Sequence, residues 1–143
     1  MAENTVLDNA VPDNAVPDDR VGDNGSMVHI ARVYDPAGPD DGTRVLVDRV
    51  WPRGLAKATA ALDDWCKAVA PTTELRKWYA HDPDRFAEFT RRYRDELAAP
   101  GPAADALAAL RDRAAQGPLT LLTASRALDI SQAAVLAQLL SED

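Results

Sequence analysis

Two arginines, an acid and a tryptophan crowd residues 48 to 55, DRVWPRGL, directly after the apolar run TRVLV. The planar fork of arginine makes two parallel, charge-assisted hydrogen bonds and so suits phosphate or carboxylate. Arg49 and Arg53 are therefore candidate anion contacts. Trp51 precedes Pro52 and is biased to an extended backbone, after which Arg53-Gly54 makes a turn whose amides could face an anion. A second apolar run ends in TASR, residues 123 to 126, and adds Ser125 and Arg126. Ser125 lacks the G-x-S-x-G turn of an activated nucleophile, so its expected role is a hydroxyl donor to a bound anion. The expected ligand-binding set is Arg49, Trp51, Arg53, Ser125 and Arg126.

Proton transfer, if any reaction occurs, would fall to Asp48 or His81. His81 stands just before Asp82-Pro83 at an expected helix start, a good place for a general acid or base beside an anion. Each also has a structural reading: Asp48 as half of an ion pair tying its strand to a helix, His81 as a ring packed over the first helical turn. Strand alternation would put Asp48 on the face of Leu46 and Val50, and Arg49 on the face of Val47, so the two are not expected to share one cleft unless the chain bulges.

Other chemistries find little support. Cys66 is the only cysteine, which excludes a disulfide framework or a multi-cysteine zinc site within one chain. A metal site using His29 and His81 would need further carboxylates, so no metal and no cofactor are expected. Arg91, Arg92 and Arg94 resemble a basic patch, yet Glu88 with Arg92, Arg91 with Asp95 and Arg92 with Glu96 are each four apart and would pair on a solvated helix face. Nucleic acid is accordingly not the expected partner, and no protein partner is indicated.

The chain has 143 residues and a net charge of −7. Residues 1 to 26 hold six acids and one arginine, in an imperfect DNAVP repeat whose composition cannot offset the entropy of ordering. They are expected to be a disordered acidic tail, with 27 to 143 as a single domain. Residues 44 to 94, by contrast, carry eleven basic and seven acidic side chains, so an anion-accepting surface is compatible with the acidic whole. No apolar run approaches the roughly 18 residues of a membrane span, and the start lacks a signal peptide pattern. A soluble, cytoplasmic protein is the expectation.

The elements that must position these residues follow from periodicity and caps. VHIARVY (28–34) and TRVLVDRV (43–50) read as strands separated by a turn-rich loop, and PLTLLTAS (118–125) as a third. Residues 56 to 70 are alanine-rich with Leu62, Trp65 and Val69 at helical spacing, and read as a helix. Thr72 is an expected N-cap for TELRKWY. Asp82 caps a helix whose stripe is Phe86, Phe89, Tyr93 and Leu97, with Pro83 at its first position. A helix over 103–116 should end in a left-handed Gly117, and a last one should start from Asp129 with a stripe of Ile130, Ala134, Ala137 and Leu140. This order gives an α/β fold: a small, mostly parallel sheet of about three strands layered with helices. In such sheets ligands lie beyond the carboxyl ends of the strands, where DRVWPRGL and TASR both emerge.

Taken together, RVYDPAGPDDGTRVLVDRVWPRGL, APTTELRKWYAHDPDRFAEFTRRYRDEL and TLLTASR resemble the YeaO-like proteins of domain of unknown function 488, over residues 29 to 140. The resemblance implies a compact bacterial-type α/β domain and lends no established reaction. Many relatives follow the last strand with a His-Asn pair where this chain has Ile130 and Ser131, so any catalysis resting on that pair is not carried over. The reading is a small α/β protein that binds an anionic small molecule, such as a phosphate ester or nucleotide, at an arginine-rich rim. The alternative is a noncatalytic interaction module whose tryptophan-arginine surface grips a protein or single-stranded nucleic acid.

Overall fold

The computed structural model describes residues 28–57 and 60–142; the expected acidic tail, 1–26, lies outside them. Four strands are formed, β1 (Val28–Arg32), β2 (Thr43–Leu46), β3 (Asp64–Trp65) and β4 (Leu119–Thr123), with helices α1 (Thr73–Tyr79), α2 (Phe86–Ala98), α3 (Pro102–Gln116) and α4 (Gln132–Ser141). The sheet order is β1-β4-β2-β3 and every pairing is parallel. The long helical connection between β2 and β4 makes that parallel pairing possible. The α/β class therefore stands, with a fourth strand of two residues beyond the three read from the sequence.

In the described part of the segment expected as a helix, 56–70, the chain forms β3 and a 3-10 turn over Lys67–Val69 instead. Asp63 donates its amide to the Arg44 carbonyl at 2.8 Å, Cys66 donates to the Leu46 carbonyl at 2.8 Å, and the Asp63 carboxylate accepts the Arg44 amide at 2.9 Å. The open edge of β2 captures this segment, and long-range pairing outweighs the helix propensity of its alanines.

The other helices start where caps place them. Thr72 Oγ1 accepts from the Leu75 amide, and Glu96 in α2 accepts from both the Thr72 amide (3.0 Å) and hydroxyl (2.6 Å), so the start of α1 is tied to α2. Asp82 caps a short 3-10 turn over 83–85 that runs into α2. Along α2, Phe89 and Tyr93 face the core, where Phe89 stacks on Tyr79 with centroids 4.2 Å apart. At α4 the cap is Ser131 rather than Asp129, which sits in a preceding 3-10 turn. Starting two residues later rotates the buried face to Ala133, Val135, Leu136 and Leu140. Gly117 ends α3 with extended backbone, not the left-handed cap expected of it.

The helices all cover one face of the sheet. Val45, Val47, Leu119 and Leu121 point into a core built with Leu75, Tyr79, Phe89, Tyr93, Leu110 and Leu136. The opposite face, Leu46 and Leu122, meets Val33, Trp51, Leu55, Leu62 and Trp65, which come from loops and the short β3. DRVWPRGL is thus in large part a lid over the sheet's second face. One glycine is required on that side: Gly42 has φ of 65°, and a Cβ there would come within 2.1 Å of the Pro118 carbonyl oxygen.

Candidate functional site: a cleft beyond the carboxyl ends of β2 and β4

β2 stops pairing as soon as Val47 has donated its amide to the Leu122 carbonyl at 3.0 Å. From there the chain peels away from β4, strand alternation ends, and Asp48 and Arg49 both line a single cleft of about 240 Å³. The expectation that they could not share one held only for regular pairing, and the departure of the strand removes that condition.

Asp48 is fully engaged. Its Oδ1 accepts from Thr123 Oγ1 at 2.7 Å and from Gln132 Nε2 at 2.5 Å, and its Oδ2 accepts the Ala124 amide at 2.8 Å. One carboxylate therefore joins the end of β2, the end of β4 and the first turn of α4. No cationic side chain lies within ion-pair distance of it among the described residues, so the structural role expected of Asp48 is met by hydrogen bonds instead of a salt bridge.

Arg49 turns the other way, to the segment that leads into α1. Its Nε donates to the Pro71 carbonyl and its Nη2 to the Ala70 carbonyl, both at 3.0 Å. These bonds fix the guanidinium plane and leave Nη1 without a hydrogen-bond partner among the described residues. No carboxylate pairs with Arg49 among the described residues.

The opposite wall comes from α1 and the turn after it. Arg76, on the last turn of the helix, lines the cleft with Tyr79 and His81. Two successive residues, Ala80 (φ 49°) and His81 (φ 56°), adopt left-handed backbone, which costs a non-glycine residue about 1–2 kcal/mol each. That reversal, held by the Ala80 amide on the Arg76 carbonyl and the Asp82 amide on the Tyr79 carbonyl, both 3.0 Å, is what puts His81 on the cleft. Tyr79 forms part of the floor, and its hydroxyl donates to the Ile130 carbonyl at 2.6 Å. Burial, then the charges of Asp82 and Asp129, hold that phenol above its ordinary pKa.

Of the residues singled out from the sequence, Asp48, Arg49, His81 and Ser125 line the cleft, whereas Trp51, Arg53 and Arg126 do not. Trp51 belongs to the second core: its ring meets Trp65 edge-on at 5.3 Å, and its Nε1 donates to the Leu55 carbonyl at 2.8 Å. Arg53 and Arg126 are exposed. Arg53 contributes its carbonyl, which accepts the Tyr34 hydroxyl at 2.9 Å. Sequence reading missed Arg76 and Gln132. Arg76 sits three residues before Tyr79 on a helix recognised for its cap, but nothing in the one-dimensional pattern brings that helix end to β2. Gln132, at the start of α4, holds Asp48 through its side-chain amide.

The chain matches, over residues 27–143, a family model described as the inactive DUF488-N3 subclade. It is similar to the uncharacterized protein Rv3073c of Mycobacterium tuberculosis, 51% identical over 116 residues that make up 81% of this chain and 95% of the relative. The uncharacterized protein YeaO of Escherichia coli is 44% identical over 110 residues, 77% of this chain and 93% of that one. No solved structure matches the chain. A matching model over nearly all the described residues, together with relatives this similar along almost their whole length, establishes that the chain belongs to the DUF488 family and is YeaO-like.

Proposed function

We propose that the protein binds a small anionic molecule, of the phosphate-bearing kind, in the cleft between β2, β4 and the end of α1. The observation that carries this reading is the state of Arg49. A half-buried guanidinium held by two carbonyls and paired with no carboxylate is a cation prepared for an anion, since desolvated charge is costly until it is neutralised. Its fixed plane lowers the ordering cost of binding. Arg76 and His81 bring further cationic or donor capacity from the opposite wall, and Ser125 adds a hydroxyl.

Binding is favoured over turnover. Three of the roughly four acceptor positions of the Asp48 carboxylate are filled, which leaves it poorly placed to take a substrate proton. The Tyr79 hydroxyl is spent on Ile130. Ile130 and Ser131 stand where many relatives carry a His-Asn pair, and Ser131 is buried as a helix cap. His81 is then the one cleft residue left for acid-base work, and no described residue hydrogen-bonds its ring to orient it. The word inactive in the description of the matching subclade agrees with this. The alternative, a tryptophan-arginine gripping surface, loses its tryptophan to the second core.

Thermal unfolding in the presence of inorganic phosphate, sugar phosphates and nucleotides tests the reading. A ligand at about 100 times its Kd adds roughly 2.7 kcal/mol of stability. Arg76→Ala and His81→Ala, both at exposed positions, should fold as the parent does and lose that increment. A melting temperature that no anion raises, or variants that respond like the parent, would sink the proposal.

A further inference from the structure

Beside the cleft, on the far side of Ala124, lies a second feature that the anion site does not use. Ala124 donates its amide to Asp48 in the cleft, and its carbonyl accepts from Arg32 Nη2, at the end of β1, at 3.2 Å. Arg32 pairs with no carboxylate among the described residues, and its buried Nε has no hydrogen-bond partner. Its guanidinium lies 4.8 Å from the centroid of the Tyr34 ring and covers one face of it. Tyr34 is nevertheless 42% exposed. Its hydroxyl is tied to the Arg53 carbonyl on the turn that follows β2. An aromatic ring held at both ends, backed by a cation and open to solvent is an unusual use of tyrosine, since a large exposed ring with no partner is normally free to move. Here the ring is fixed and available, which lowers the entropy cost of stacking against it.

We infer that Tyr34 is a stacking platform for the planar ring of a phosphomonoester whose phosphate occupies the neighbouring cleft. The inference rests on the anion-binding reading and narrows it: the ligand carries an aromatic group close to its phosphate. Arg32 backs the platform, and its hydrogen bond to Ala124, a residue that lines the cleft and donates its amide to Asp48, links the ring to the phosphate subsite.

Calorimetric titration of the full chain with inorganic phosphate, ribose 5-phosphate, AMP and phenyl phosphate separates this inference from the reading beneath it. The two ring-bearing esters should bind about tenfold more tightly than ribose 5-phosphate, the gain expected of one stacked ring. Tyr34→Ala should erase that advantage and leave inorganic phosphate affinity unchanged, and Tyr34→Phe, which keeps the ring over Arg32 but loses its tie to Arg53, should retain part of it. The unliganded melting temperature of both variants should match the parent, because the residue is exposed. Equal affinity for ring-bearing and ring-free esters would overturn the stacking platform while leaving the anion site standing. Failure of every phosphate to bind would overturn both.

Discussion

The place of Asp48 in the sequence leaves its partners open. As an acid at the end of an apolar strand it invites an ion pair or a general base, but the structure gives it three neutral donors from three different elements. Asp48→Ala would strip the partner from Thr123, the Ala124 amide and Gln132 at once. Buried donors left unsatisfied cost about 1–3 kcal/mol each, partly relieved by water entering the cleft, so a net loss of about 2–3 kcal/mol is expected. Asp48→Asn should cost less, because its amide oxygen can still accept. Arg126→Ala, at an exposed position outside the cleft, should stay within about 0.5 kcal/mol of the parent. Urea unfolding of the three variants checks the ranking, and an Asp48→Ala variant as stable as Arg126→Ala would show that the junction is not held by this carboxylate.

The elements differ in how much of them was visible beforehand. α1 could be read from its cap at Thr72, and α2 from Asp82 together with an apolar stripe at helical spacing. The segment 56–70 could not, because its alanines favour a helix while hydrogen bonds from its described residues run to β2, 17 to 20 residues away. Caps two residues apart, Asp129 and Ser131, were likewise indistinguishable by type, and only the packing of Leu136 and Leu140 decides between them. On α2 the expected charge pairs form at Glu88 with Arg92 and at Arg91 with Asp95, joined by Glu88 with Arg91, but Glu96 leaves Arg92 for Thr72. The hydrogen bonds from Arg91 and then Arg92 pull the Glu88 carboxyl down from its ordinary 4.5 to about 2. A folded-state pKa below the unfolded one means that this stabilisation is complete above pH 4.5 and disappears as the pH falls toward 2. Glu88→Gln should therefore be slightly less stable than the parent at neutral pH, with a gap that closes between pH 4.5 and 2 and shrinks in high salt, as suits exposed charges. Chemical denaturation at several pH values measures that gap; one that stays constant with pH would contradict the pairing.

At the scale of the whole molecule, the decisive fact is that four helices share one face of the sheet and loops must close the other. Composition hints at neither, since a parallel sheet with helices on both faces would show the same apolar runs. Loops make a poor cover unless something holds them, and that part is played by Arg44, only 4% exposed although it is an arginine. Its guanidinium donates to the Asp41 carboxylate, to the Ala61 carbonyl at 2.5 Å and to the Asp35 carbonyl at 2.9 Å, so one residue of β2 grips both loops that lie over Leu46 and Leu122. Removing one member of a buried ion pair costs about 3–5 kcal/mol, and because Asp41 is itself a quarter exposed the lower end applies. Arg44→Met, which preserves the aliphatic stem, should thus lose about 3 kcal/mol and loosen the 33–43 and 60–63 segments before the helices. Hydrogen exchange would show this as early protection loss at Val33 and Asp63, whose amides pair with Thr123 and Arg44, while α2 and α3 retain theirs. Because Tyr34 and Arg53 lie on the same two loops, the variant should also lose any preference for ring-bearing phosphates while the cleft below, built from Arg49, Arg76 and His81 on the helical side, still takes inorganic phosphate. Simultaneous loss of exchange protection across the helices and the loops would show instead that the two faces of the sheet unfold as one, and that the loop cover is as much a part of the core as the helices.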